Sequence, residues 1–123
     1  VFFITDGNPK ILESKEYMKK NLTPTLALQS GPLLLQNGKI HSKFNKGSNS
    51  KLLRSGVGIT KDGEVIFAIS KSKVNFHHFT RLFIDLGCSD ALFLDGVISK
   101  MQIEDHQNGK ASTDFAAILA VYE

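Results

Sequence analysis

Cysteine is almost absent from this chain: Cys88 is the only one in 123 residues, which excludes an intrachain disulfide and any CxxC metal site. No apolar run approaches the roughly twenty residues of a membrane-crossing helix, so no span is expected. A block of like charge is missing too. Fifteen Lys and Arg against twelve Asp and Glu leave +3 with the lysines scattered, so neither nucleic acid nor an anionic membrane is expected as a partner. The four histidines lack HxxxH or HExxH spacing: His77 and His78 are adjacent and cannot face one metal from the same side, while His41 and His106 lie beyond strand or loop ends. No metal site is assigned and no cofactor is predicted. A divalent cation held by oxygens such as Asp95 stays open, since carboxylates alone do not identify one. "GVG" at 56–58 lacks the GxGxxG spacing and the following helix of a dinucleotide site.

What is present is enough for one core. Hydrophobic residues at 41% and charged residues at 22% describe a globular chain the size of a single domain, residues 1–123, without repeats or a linker. "VFFI" at 1–4 reads as a strand ending in the turn signal "DGNP", and 13–20 as a short helix. "TLALQ" at 25–29 is a strand, Ser30-Gly31-Pro32 interrupts it, and "LLLQ" at 33–36 runs into Asn37-Gly38, a hairpin turn needing positive φ twice. "SKFNKGSNSK" at 42–51 is polar and aperiodic, an exposed loop. "GVGI" and "EVIFAIS" flank a second hairpin at Asp62-Gly63; the latter has no polar face and is expected to be a central strand covered on both sides. Phe76, Phe79, Leu82, Phe83 and Leu86 then recur at helical spacing between an Asn75 N-cap and Gly87, predicting the main amphipathic helix over about 75–87. "DALFLDG" follows as a strand, and "DFAAILAVYE" reads as a last one. The expected class is α+β: a mixed or antiparallel sheet with hairpins and one helix packed on it.

Three places carry groups that could do chemistry. Asp95 ends the apolar strand segment Leu92-Phe93-Leu94, where a carboxylate is either exposed or held by donors, because an unpaired buried charge costs several kcal/mol, on the order of its desolvation. Gly96 lets the backbone turn sharply or a ligand approach, and Ser99 can donate from the following loop. "DG" as a plain turn with Ser99 a surface hydroxyl is the structural alternative. Arg54 heads "RSGVGI" and offers a rigid fork suited to a phosphate or to Asp95, although an arginine at a strand start is commonly solvated. Gln29, Ser30, Gly31 and Pro32 break two apolar strands with hydrogen-bonding groups, or form an ordinary bulge or turn. Cys88 follows the C-terminal end of the helix, where the dipole does not lower a thiol pKa, so no catalytic thiolate is expected.

The ordered set "ALQSGPLLLQNGKIHSKF", "RSGVGITKDGEVIFAISKSKVNFHHFTRLFIDLGCSDALFLDGVIS" and "DFAAILAVYE" resembles the phosphodiester glycosidase family. That family includes the lysosomal-pathway enzyme that uncovers mannose 6-phosphate by removing N-acetylglucosamine, and the likeness is closest to a bacterial branch of uncharacterised exported proteins. It covers nearly the whole chain. The family's "QSGP" falls on Gln29 to Pro32, its strand-leading arginine on Arg54, and its "LDG" with a following serine on Leu94, Asp95, Gly96 and Ser99. Many members carry a second glycine where this chain has Val97. His41 matches a histidine common after the "NGKI" hairpin. An asparagine- and glycine-rich segment with an aromatic run usually precedes these motifs and lines the same pocket. The chain opens on "VFFI", so it is expected to be the C-terminal part of a longer domain and to need that segment as a partner.

The resemblance implies hydrolysis of a sugar-1-phosphodiester or related glycosidic linkage, a carbohydrate or sugar-phosphate ligand, and an exported, periplasmic location. Asp95 and Arg54 would be the catalytic pair. Gln29, Ser30, Gly31, Gly96, Ser99 and His41 would contact the substrate. The second carboxylate of a glycosidase is not evident, with Asp90, Asp6, Asp62 and Asp105 the candidates. The reading needs Asp95 and Arg54 to converge on one open cleft. Its rivals are a carbohydrate- or phosphate-binding module without turnover, and a structural or assembly role in which loop 41–51 makes the contact.

Overall fold

The computed structural model describes residues 1–101 and 118–121. Among the described residues, two antiparallel sheets and two helices form an α+β fold. The first sheet holds β1 (Phe2–Thr5), β2 (Asn8–Ile11) and β3 (Leu26–Leu28) in the order β2-β1-β3, and α1 (Ser14–Lys19) joins the last two. Asp6 and Gly7 both have positive φ, so the "DG" signal closes a two-residue hairpin, and "NPKI" returns as a strand that the composition had hidden. Pro9 is tolerated there because β2 is an edge strand, where a missing N–H costs no ladder bond.

The second sheet holds β4 (Leu33–Gln36), β5 (Lys39–Ile40), β6 (Ser55–Thr60), β7 (Val65–Ile69) and β8 (Cys88–Asp95), ordered β5-β4-β8-β6-β7. Asn37 and Gly38 have φ of 49° and 74°, the paired left-handed residues that the hairpin requires. The long helix is α2 (Phe76–Asp85), started by Asn75, whose side chain accepts from the His78 N–H, and ended at Gly87 with φ of 81°.

Alternation along β6 decides what each face of this sheet meets. Val57 and Ile59 pack with Phe2 and Ile11 of the first sheet and with Leu92, giving the core between the sheets. Gly56 and Gly58 turn the other way, and Phe79 and Phe83 of α2 fill the space their missing side chains leave. Each large apolar side chain fully buried this way contributes roughly 1.5–3 kcal/mol.

Two expectations are corrected here. "EVIFAIS" becomes β7, which among the described residues is the sheet's edge rather than its centre. Its want of a polar face has a different cause: Ile66 and Ala68 lie against the helix-side core while Val65 and Phe67 lie against the inter-sheet core. The strand buried along its whole length is the glycine-bearing β6, which pairs with both β7 and β8. The closing segment, expected as a strand, has no regular structure over 118–121, where Ile118 and Val121 are exposed, and its other residues, like Asp105 and His106, lie outside the described residues.

Candidate functional site

At the end of β8 the ladder breaks register. Phe93 pairs with Gly56 and Asp95 with Ser55, so Leu94 is an extra residue and the strand bulges. Hydroxyls from both flanking segments meet the carbonyls at the bulge: Ser30 Oγ donates to the Leu94 carbonyl at 2.8 Å and Ser55 Oγ to the Asp95 carbonyl at 2.7 Å. Ser55 Oγ also accepts from the Asp95 N–H at 3.1 Å and lies 2.8 Å from Ser99 Oγ. With its one proton on the Asp95 carbonyl, Ser55 receives Ser99's proton, which leaves the lone pairs of Ser99 for other donors.

The Asp95 carboxylate is exposed, and its Oδ1 accepts from the Gly96 N–H at 2.5 Å. Gly96 is buried, and a Cβ there would stand 1.8 Å from the Leu53 carbonyl oxygen, so the "LDG" glycine answers to a close backbone approach. Gln29 is exposed, 3.5 Å from Ser14 Oγ, and Gly31 faces open space, joined to Pro32 through a cis peptide.

Arg54 sits on the other face of the sheet. It shares the parity of Gly56 and Gly58, the helix side, whereas Asp95 is registered with Ser55 on the opposite one. Only 2% of it is exposed; Nε donates to the Val74 carbonyl at 2.8 Å and Nη2 to the Ser50 carbonyl at 3.1 Å. The guanidinium lies 3.5 Å above the Phe76 ring, which stacks in turn on Phe44. Burial lowers its pKa from the ordinary arginine value, and the guanidinium stays charged at neutral pH. Among the described residues no ion pair joins Arg54 to Asp95, and only Nη1 makes no hydrogen bond.

His41 belongs to this second group. Its ring packs on Phe44 at 5.2 Å and Nδ1 accepts from the Lys43 N–H at 3.3 Å. The loop beyond it is exposed yet fastened: besides Arg54, Asn75 Nδ2 donates to the carbonyls of Lys46 and Ser48.

Asp90 is five residues from Asp95 along one strand, roughly 16 Å, beyond the 5–9.5 Å between glycosidase carboxylates. Its oxygens accept from the Asn37 N–H and the Ser89 hydroxyl. It borders a depression of about 210 Å³, with Pro9, Leu12, Gln36 and Asn37 around it, at the end of β8 away from Asp95. No group of three metal-ligating side chains occurs among the described residues, and none of their helices is long and apolar enough to cross a membrane.

An independent comparison settles the lineage of these motifs, because the sequence model for phosphodiester glycosidase matches residues 1–119. The chain belongs to the phosphodiester glycosidase family. Escherichia coli (strain K12) has a similar protein named "Uncharacterized protein YigE", 38% identical over 105 residues, which are 85% of this chain and 41% of that protein. The chain therefore spans about two fifths of the length of the relative it matches. No solved structure matches it. In this family member sequence reasoning passed over Ser55, and it read Asn75 and Phe76 as helix cap and helix face without their hold on loop 41–51 and Arg54. Ser55 did carry a signal: a hydroxyl opening an apolar strand needs a partner once the strand is buried.

Proposed function

We propose that this chain carries part of the site of a hydrolase acting on a sugar-1-phosphodiester or a related glycosidic linkage. Family membership supports the reaction class, and the single observation that supports its location is the "LDG" turn, where an exposed carboxylate is held by a bulge and a glycine that tolerates no side chain. Asp95 is the acid-base group, Ser99 offers an acceptor to a sugar hydroxyl, and Gln29, Ser30, Gly31 and Gly96 form the rim. A phosphate group leaves as a stable anion and needs little acid assistance, so Asp95 is the one carboxylate the reaction asks of this chain. Arg54, buried on the face opposite Asp95 and bonded to the Val74 and Ser50 carbonyls, does not meet the same cleft and holds loop 41–51, which His41 flanks, in place of the phosphate contact expected of it. The ligand is then a carbohydrate or sugar phosphate met after export to the periplasm, and residues 1–123 act as one domain together with a preceding segment that lines the same pocket.

The test compares the full chain with its Asp95→Asn and Arg54→Ala variants on a sugar-1-phosphodiester. Turnover lost by Asp95→Asn while its unfolding midpoint stays unchanged supports the proposal; turnover at the original rate in Asp95→Asn ends it, and any loss in Arg54→Ala is read against its unfolding midpoint. A binding module without turnover is the second reading, favoured by the place of Asp90, roughly 16 Å along β8 from Asp95 and so too far to be its partner. Saturable binding of the substrate without product formation would select it.

A further inference from the structure

The end of β8 is clamped from both sides. Because β8 lies between β4 and β6, its bulge has a neighbour on each flank: Ser30, on the segment entering β4, and Ser55, the first residue of β6. We infer that Ser30 and Ser55 are positioning residues that lock the β8 bulge in register and thereby aim Asp95 and Ser99. The inference rests on the role given to Asp95 above.

A bulge disturbs the ladder locally, and here each of the two carbonyls at the bulge, those of Leu94 and Asp95, accepts from a serine hydroxyl of its own. Ser55 does more than satisfy one carbonyl. Its oxygen also holds the Asp95 N–H and the Ser99 hydroxyl, so a single buried atom ties the carboxylate-bearing residue to the loop that follows it. The Leu53 carbonyl against Gly96 closes the third side.

The alternative the clamp prevents is specific. Were Leu94 to slip into the place opposite Ser55, the following residues would each move one position along the ladder, and a one-residue slip sends every side chain to the other face. Asp95 would then turn toward the helix side. Loss of the two hydroxyls removes the donors that make the bulged register preferable to the regular one.

Ser55→Ala, Ser30→Ala and the hydroxyl-keeping Ser55→Thr are compared in the full chain, with Cys88→Ala as a control at the far end of the same strand pair. Amide hydrogen exchange at Gly96 reads the bulge directly. About tenfold faster exchange is expected in either alanine variant, the effect of losing one net hydrogen bond, with the threonine variant near the parent. On a sugar-1-phosphodiester, kcat should fall on the order of tenfold to a hundredfold with KM little changed, as for a misaimed reacting group. Exchange at Gly96 rising no further in the serine variants than in Cys88→Ala overturns the inference, and Ser30→Ala alone decides it should Ser55→Ala not fold. Faster exchange together with full turnover by Asp95→Asn would remove the catalytic role and keep the clamp; unchanged exchange and kcat beside an inactive Asp95→Asn would remove the clamp alone.

Discussion

Replacing Arg54 separates a structural cation from a ligand-binding one. Arg54→Ala strips the carbonyls of Val74 and Ser50 of their donor and opens a hole beside Phe76. A hydrogen bond from a charged group is worth about 1.5–3 kcal/mol, and a desolvated cation over a ring about 2 kcal/mol. Desolvation of the guanidinium opposes these gains, so the net loss is set near the 3–5 kcal/mol typical of breaking a buried charged network. That is a large share of the roughly 5–15 kcal/mol that holds a domain together. Arg54→Lys should recover little, because one ammonium cannot reach two carbonyls while lying flat on the ring. Urea unfolding is the assay. With a slope of about 1–3 kcal/mol per molar, the midpoint should fall by at least roughly 1 M in the alanine variant while the slope stays constant. A midpoint within about 0.3 M of the parent, inside what an ordinary surface substitution produces, would refute the packing argument and return the guanidinium to the ligand.

Gly96→Ala sets a Cβ 1.8 Å from the Leu53 oxygen, and since backbone must move to relieve it, thermal unfolding should drop by about 10 °C or more, as roughly 3 kcal/mol of overpacking predicts. A shift of only a degree or two would mean that the turn is looser than drawn. Cys88 is buried, and burial first, then Asp90, push its thiol pKa up. The folded state thus holds this proton more tightly than the unfolded one, so the contribution to stability is present below the unfolded value near 8.5 and is lost as pH rises beyond it. Native protein at pH 8 should resist iodoacetamide. Labelling at the pace of a free thiol would contradict the burial.

Local signals survived folding and non-local ones did not. Asn37-Gly38 and the Asn75-to-Gly87 helix were legible because a two-residue turn and a capped amphipathic stretch are specified by neighbours in sequence. The edge position of β7 was not, since an apolar strand looks the same whether pairing or packing hides it. At the site, the Asp95-Gly96 turn could be picked out as polar residues closing an apolar strand. The bulge at Leu94 could not: it is a relation between β6 and β8, forty residues apart, and it alone carries Asp95 to the face away from Arg54. Arg54 misleads for a similar reason. Its partners Val74 and Ser50 contribute backbone oxygens, to which side-chain patterns are blind.

The bare positions at 56 and 58 leave the helix seated on two phenyl rings, with Phe83 carbon atoms 3.2 Å and 2.5 Å from where the missing methyls would stand. Ring thickness is thus the spacer that sets the gap between α2 and the sheet. A methyl gained at 58 would press on the Cys88 sulfur as well as on Phe83, and one at 56 would press on the Leu92 carbonyl, which no side-chain change can remove, so position 56 is held to glycine while 58, 83 and 88 can change only together.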